Sequence, residues 1–311
     1  MIENPDKKIR NEFADTMFEI GKEDHRLVVI VGDISHFILQ PFAQACPGRY
    51  YNIGICEPTM VNMAAGLAKV GFIPTVHTIA PFLIERSFEQ IKLDLGYQKL
   101  PVNLVSIGSG FDEGSLGVTH HCYDDLALMK NVEGMNVFYP ASCKEFNILF
   151  KQVWNRGLPN YFRIPGNKHG VGFKEEQIVA GKGIKVKDGK NVTIVVIGPQ
   201  LKTVLDSVPF LEEQGISPEI IYLHTIKPFD VDIVRESLSK TKRVLVIEEH
   251  SMHGGILEDV LWNSRDIENI KHSAINLGDR YIHQYGDYNQ HCQKLGFSVD
   301  NIVKKIKGEL Y

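Results

Sequence analysis

Short apolar runs alternate along the chain with longer stretches in which apolar side chains recur every three or four positions. That alternation predicts strands separated by helices. In the first half the runs are LVVIVGD (27–33), PTVHTI (74–79) and VNLVSIG (102–108). They are rich in β-branched residues and nearly continuous in apolar character, as strands buried on both faces are. The stretch from Lys8 to Gly21 predicts a helix with Phe13, Met17 and Ile20 on one face. Between Arg163 and Asn191 the periodicity fades into Gly- and Lys-rich sequence, which predicts an interdomain connection and an edge hairpin over 167–190. A second set of runs follows: VTIVVIG (192–198), EIIYLHTI (219–226), VLVIEEH (244–250) and SAINLG (273–278), with helices expected over 200–215, 230–240 and 254–265. The reading is two open α/β domains, the first (1–166) a mostly parallel sheet and the second (191–311) a smaller α/β unit.

Composition narrows the function classes. The chain has 311 residues, 43% hydrophobic and 23% charged, enough for two cores of ordinary size. A net charge of -4 offers no basic field for a phosphate backbone, which argues against nucleic acid as a partner. No apolar run approaches the roughly 20 residues needed to cross a bilayer. The charged start MIENPDKKIRNEF lacks the apolar core of a signal peptide, so a cytoplasmic location is expected. Five scattered cysteines without a C-x-x-C spacing suit reduced thiols rather than a disulfide framework or a zinc site.

The segment NIGICEPTMVNMAAGLAKVG (52–71) carries the first candidate chemistry. Pro58 suits the first helical position, which puts Glu57 at the N-cap. Met60, Met63, Ala64, Leu67 and Ala68 then form one buried stripe. On helix chemistry alone, Glu57 reads as a capping carboxylate held by the helix dipole. In HHCYDD (120–125) the adjacent His120 and His121 cannot easily turn to one face, so no metal site is expected there. Phe82 shares an apolar face with Phe88, Ile91 and Leu95, and His77 lies inside an apolar run. On that pattern alone, both read as core residues.

Taken in order, the motifs resemble those of the transketolase superfamily. GICEPTMVNMAAGLA is similar to the family's glutamate helix. TIAPFLIERSFEQI (78–91), GSLGVTHHCYDDLALMK (114–130) and GMNVFYPAS (134–142) follow in register. HTIKPFD (224–230) and IEEHSMHGGIL (247–257) resemble motifs of the family's C-terminal domain. The likeness is to separately encoded C-terminal subunits of transketolase. It implies a pyrimidine-binding domain for thiamine diphosphate (ThDP) followed by a transketolase C-terminal domain, and transfer of a two-carbon ketol unit from a ketose or ketose phosphate to an aldose. It also gives residues roles. Glu57 would hydrogen-bond the cofactor's aminopyrimidine and promote loss of the thiazolium proton, with the chemistry supplied by the cofactor. Phe82 would stack on the pyrimidine, with Ile55 and Ile79 as further cofactor contacts. His120 would face the substrate, with His77, Arg86 and Arg163 as further substrate contacts.

The chain departs from the family pattern at several points. Pro58 stands where a Gln is usual, and His77 where aromatic residues are common. Arg86 follows Phe82 by four positions rather than three, and Gly166 replaces an arginine that synthase relatives carry near Arg163. Arginines there grip a substrate phosphate, whereas the plain alternative for Arg163 is a surface ion pair. GDIS (32–35) lacks the second glycine of the family's diphosphate and Mg2+ motif. The resemblance therefore implies a separate N-terminal subunit that anchors ThDP and Mg2+, and a dimer of this chain inside an α2β2 assembly. Two alternatives stay open: a decarboxylating ThDP enzyme of the deoxyxylulose-phosphate synthase or 2-oxo acid dehydrogenase type, and a non-catalytic partner-binding subunit.

Overall fold

The computed structural model describes residues 6–311; the first part of the charged start, residues 1–5, lies outside them. Helix α1 (Ile9–Glu23) leads into strand β1 (Leu27–Val31), helix α2 (Gln40–Ala45), β2 (Tyr50–Asn52), helix α3 (Glu57–Lys69), β3 (Ile73–Ile79) and β4 (Asn103–Ile107). Strands β5 (Asn136–Phe138) and β6 (Asn160–Ile164) complete the first unit. The second holds β7 (Ile184–Lys187), β8 (Val192–Val196), β9 (Pro218–Tyr222), β10 (Thr225–Lys227), β11 (Arg243–Ile247) and β12 (Lys271–Ile275). Among the described residues these strands form one sheet ordered β10-β5-β6-β4-β3-β1-β2 and another ordered β12-β11-β8-β9-β7. All pairings are parallel except β10 with β5 and β7 with β9.

Helices cover both faces of the first sheet, which is why its strands read as unbroken apolar runs. On one face Phe13, Met17 and Ile20 of α1 pack with Phe146, Leu149 and Phe150 of the helix Cys143–Val153. On the other, Met60, Val61, Ala64 and Ala68 of α3 pack with Ile91 and Leu95. From β1 the chain steps outward to β2, then returns to lay β3 on the other side of β1. That reversal opens a crevice beyond the carboxyl ends of β1 and β3, the usual ligand position in such sheets.

Two sequence expectations need correction. EIIYLHTI (219–226) does not form one strand: β9 belongs to the second sheet, while β10 crosses over and pairs antiparallel with β5 of the first. At the crossing, the carbonyl of His224 accepts the N–H of Tyr139 at 2.9 Å, so the change of sheet leaves these backbone groups paired. The expected hairpin over 167–190 is a single edge strand, β7, pairing antiparallel with β9. Side chains tie the units together as well. Glu145 accepts hydrogen bonds from Tyr222 Oη at 3.0 Å and from the backbone of Ala141 at 2.8 Å, and its other oxygen lies 2.7 Å from His169 Nε2.

Candidate active site

Glu57 is the first residue of α3, one place inside the cap position expected for it, and Cys56 takes the cap. Its side chain is only 1% exposed, and its Oε2 accepts a hydrogen bond from Arg86 Nη1 at 2.8 Å. The segment after β3 is not one regular helix: π-helical turns span Pro81–Glu85 and Ile91–Tyr97, with one short α-turn between. The first π-turn accounts for the spacing of Arg86. Its N–H reaches back five residues to Pro81 at 3.2 Å, and its guanidinium lies over the Phe82 ring, 4.5 Å from the centroid. Phe82 is half-buried and meets the ring of His120 edge-on, with centroids 5.1 Å apart. His120 Nδ1 lies 3.0 Å from Thr119 Oγ1.

Glu57, Arg86, Phe82 and His120 thus form one continuous contact chain from three separate segments of sequence. Ile55, in the turn before Glu57, is 71% exposed, and Ile79 is half-buried at the end of β3. A buried carboxylate, an aromatic ring and apolar side chains around it can hold one edge and one face of a flat heteroaromatic ring.

Two expected substrate contacts lie elsewhere. His77 is fully buried in β3 and faces α1, with its ring 4.4 Å from that of Phe13. Its Nδ1 lies 2.8 Å from the carbonyl of Val105, to which it must donate, so Nε2 is left to accept from Ser35 Oγ at 2.7 Å. Ser35 in turn accepts from Arg10 Nε at 2.7 Å. His77 therefore orients Arg10 through Ser35 and presents no nitrogen to a substrate. Burial is the chief reason its pKa falls from 6.5 to about 3, with the Arg10 charge acting in the same direction.

This arrangement has a pH consequence. The folded value lies below the unfolded one, so the stability contributed by the neutral ring is full above pH 6.5 and is lost as pH falls toward 3. His77→Gln, which cannot take up that proton, should flatten the fall in unfolding free energy by about 1.4 kcal/mol per pH unit between pH 6 and 4. Denaturant titrations of both proteins across that range check it, and equal slopes would contradict it.

Arg163 is also fully buried, which excludes both the surface ion pair and direct contact with a phosphate in this conformation. It donates from Nη2 to the carbonyl of Glu249 at 2.9 Å and lies over the ring of Tyr139 at 4.5 Å. Its Nε sits 3.4 Å from Asp125, whose carboxylate also accepts from Tyr161 Oη at 2.6 Å. Burial raises the Asp125 pKa, and the Arg163 charge opposes that shift. The sequence reading missed Arg10. With Lys8, Asp112, Glu113, Gly166 and Asn167 it lines a cavity of about 200 Å³ at the ends of β4 and β6. Gly166 adds no side chain to that wall, and Arg10 reaches it from the start of α1. The signal was there to read: Lys7, Lys8 and Arg10 crowd the N-terminal end of α1, where the helix dipole disfavours positive charge.

Sequence and structure comparisons bear on the family and the fold. The profile described as "Transketolase, pyrimidine binding domain" matches residues 6–169, and "Transketolase, C-terminal domain" matches residues 181–302. The chain is 31% identical over 250 residues to one of the subunits of the apulose-4-phosphate transketolase of Phocaeicola vulgatus, covering 79% of this chain and 80% of that one. It is 32% identical over 312 residues to a putative transketolase C-terminal section of Methanocaldococcus jannaschii, covering 98% and 96%. A solved structure titled as a split gene transketolase, an inactive beta4 tetramer, superposes with a TM-score of 0.87 at 29% identity, covering 97% of this chain and 98% of that one. The chain belongs to the transketolase family.

Proposed function

We infer that this chain is the C-terminal subunit of a split, ThDP-dependent transketolase, and that it moves a two-carbon ketol unit from a ketose phosphate to an aldose once joined to an N-terminal subunit. The observation that carries this is Glu57, a carboxylate 1% exposed at the start of α3 and linked through Arg86 to Phe82 and His120. The residues present fit the aminopyrimidine end of ThDP. Glu57 would hydrogen-bond a ring nitrogen and hold the proton exchanged there, Phe82 would offer the pyrimidine an aromatic face, and Ile55 and Ile79 would shield the ring from water. The bound cofactor supplies the carbanion-stabilising chemistry that ketol transfer needs. His120 stands where it can hold or move a proton at a substrate oxygen.

Mg2+ and the diphosphate fall to the partner subunit on this reading. Support for a partner comes from the exposed apolar side chains on the loops leaving β1 and β2: Phe37 is 80% exposed and Ile55 71%. Pairing of this chain with a second copy would complete an α2β2 assembly. Among the described residues no helix is long and apolar enough to cross a membrane; a cytoplasmic location fits this reading.

Arg10 and Lys8 would receive the donor's phosphate in the cavity beside Gly166. A charge-assisted hydrogen bond of about 1.5–3 kcal/mol corresponds to about 10- to 100-fold in affinity. Arg10→Ala in the reconstituted complex should raise KM for a phosphorylated ketose by that factor and leave KM for an unphosphorylated one nearly unchanged. Steady-state assays with both donors, and with pyruvate as a third, test the reading. Turnover of pyruvate with no ketol transfer from either ketose would replace it with the decarboxylating alternative.

A further inference from the structure

The loop that carries His120 leaves the end of β4 and closes on itself at an isolated antiparallel bridge, where Gly110 and Cys122 exchange backbone hydrogen bonds of 2.9 Å each. Compact loops of this kind are ordinarily filled by their own side chains. Here the filling comes from the C-terminal domain. At the loop's entry, Phe111 stacks on Tyr288 with centroids 5.3 Å apart. In its middle, the carbonyl of Gly114 accepts from the N–H of Gly286 at 3.3 Å and lies 3.4 Å from His291 Nε2. A Cβ on Gly114 would stand 2.3 Å from the His291 ring. Gly117 holds φ at +79°, and a Cβ there would come within 2.7 Å of the Tyr285 ring. The carbonyl of Gly117 then accepts the N–H of His120 at 2.9 Å. At the exit, the His121 ring meets His291 edge-on at 5.8 Å, and Tyr123 Oη lies 3.4 Å from the N–H of Ile282.

We propose that residues 282–291 of the C-terminal domain position the His120 loop, with Tyr285 and His291 as positioning residues that set how the site handles its ketose. The inference rests on the reading of His120 given above and extends it into the C-terminal domain. Only Gly117 and one hydrogen bond separate Tyr285 from His120, so a shift of the tyrosine passes directly to the histidine. Tyr285 is also 70% exposed, so it contributes little to the core, and its ring lies close against Gly117.

The test uses the complex reconstituted with the N-terminal subunit, ThDP and Mg2+. Tyr285→Ala should lower kcat/KM for the ketose about 10- to 100-fold, the cost of a small misplacement of a catalytic group. The affinity for ThDP should not change, and Tyr285→Phe should restore most of the loss. Amide hydrogen exchange over residues 113–120 should speed up in Tyr285→Ala while the strands of both sheets stay protected. In a His120→Ala background, adding Tyr285→Ala should cost little more. Unchanged loop exchange, or the same fold-loss in both backgrounds, overturns the proposal. Full ketose kinetics in His120→Ala alone would instead remove the His120 reading, and the exchange measurement keeps those two failures distinct.

Discussion

Glu57→Gln is expected to lower kcat of the reconstituted complex by about 10²- to 10⁴-fold, the range lost when a positioned proton-transfer group is removed, while the protein folds and assembles as before. Gln keeps the shape and a hydrogen-bonding oxygen but can neither hold nor return a proton. The substitution separates chemistry from structure because the ion pair it breaks is a light one. Arg86 is 46% exposed, so its charge stays largely solvated when the partner is lost, and the glutamine oxygen can still accept its hydrogen bond. The apolar stripe of α3 that holds the helix on the sheet is untouched. Steady-state rates, a melting curve and a sizing profile of the assembled complex give all three readouts. A rate within threefold of wild type would withdraw Glu57 from the mechanism.

The second large effect lies away from the reacting atoms. Arg163→Met should destabilise the chain by about 3–5 kcal/mol, because it leaves charges that Arg163 balances buried without their partner. Asp125 and Glu249 are both fully buried, and each has a carboxylate oxygen without a hydrogen-bond partner in the protein. Burial already pushes the Asp125 pKa up, and loss of the guanidinium would push it further. A carboxyl with a raised folded pKa binds its proton more tightly in the folded state, so the penalty grows as pH rises and shrinks as pH falls. The deficit of Arg163→Met should therefore be largest at neutral pH and smaller near pH 5. Arg163→Lys should recover only part of it, since an ammonium cannot reproduce the planar stack over Tyr139. Chemical unfolding at two pH values measures both, and a loss below about 1 kcal/mol at neutral pH would mean the network is not held together by this charge.

The buried strands and α3 were legible because a parallel sheet covered on both faces writes apolar runs that no partner has to complete. Glu57, Phe82 and His120 become candidates only through the order of motifs, since each residue alone reads as a cap, a core ring or a loop histidine. What escaped the sequence was direction. His77 sits in an apolar run whether it faces the crevice or α1, and only the register of β3 against β1 and β4 decides that it faces α1. Arg163 follows the same logic in β6, where an inward guanidinium becomes tolerable because Asp125 and Glu249 converge on it from segments 38 and 86 residues away in the chain. The crossing of β10 into the first sheet was hidden because Thr225 and Ile226 have the same strand preference in either sheet. Arg10 was missed because a helix reading weighs its apolar face and passes over the polar one.

On the proposed function, this chain carries the activating side of a ThDP site and relies on another subunit for the anchoring side. Calorimetric titration of ThDP with Mg2+ into the purified chain, alone and then mixed with its N-terminal partner, tests this most directly. Weak or undetectable heat is expected for the chain alone, and tight, stoichiometric binding for the mixture. Tight stoichiometric binding by the chain alone would contradict the claim.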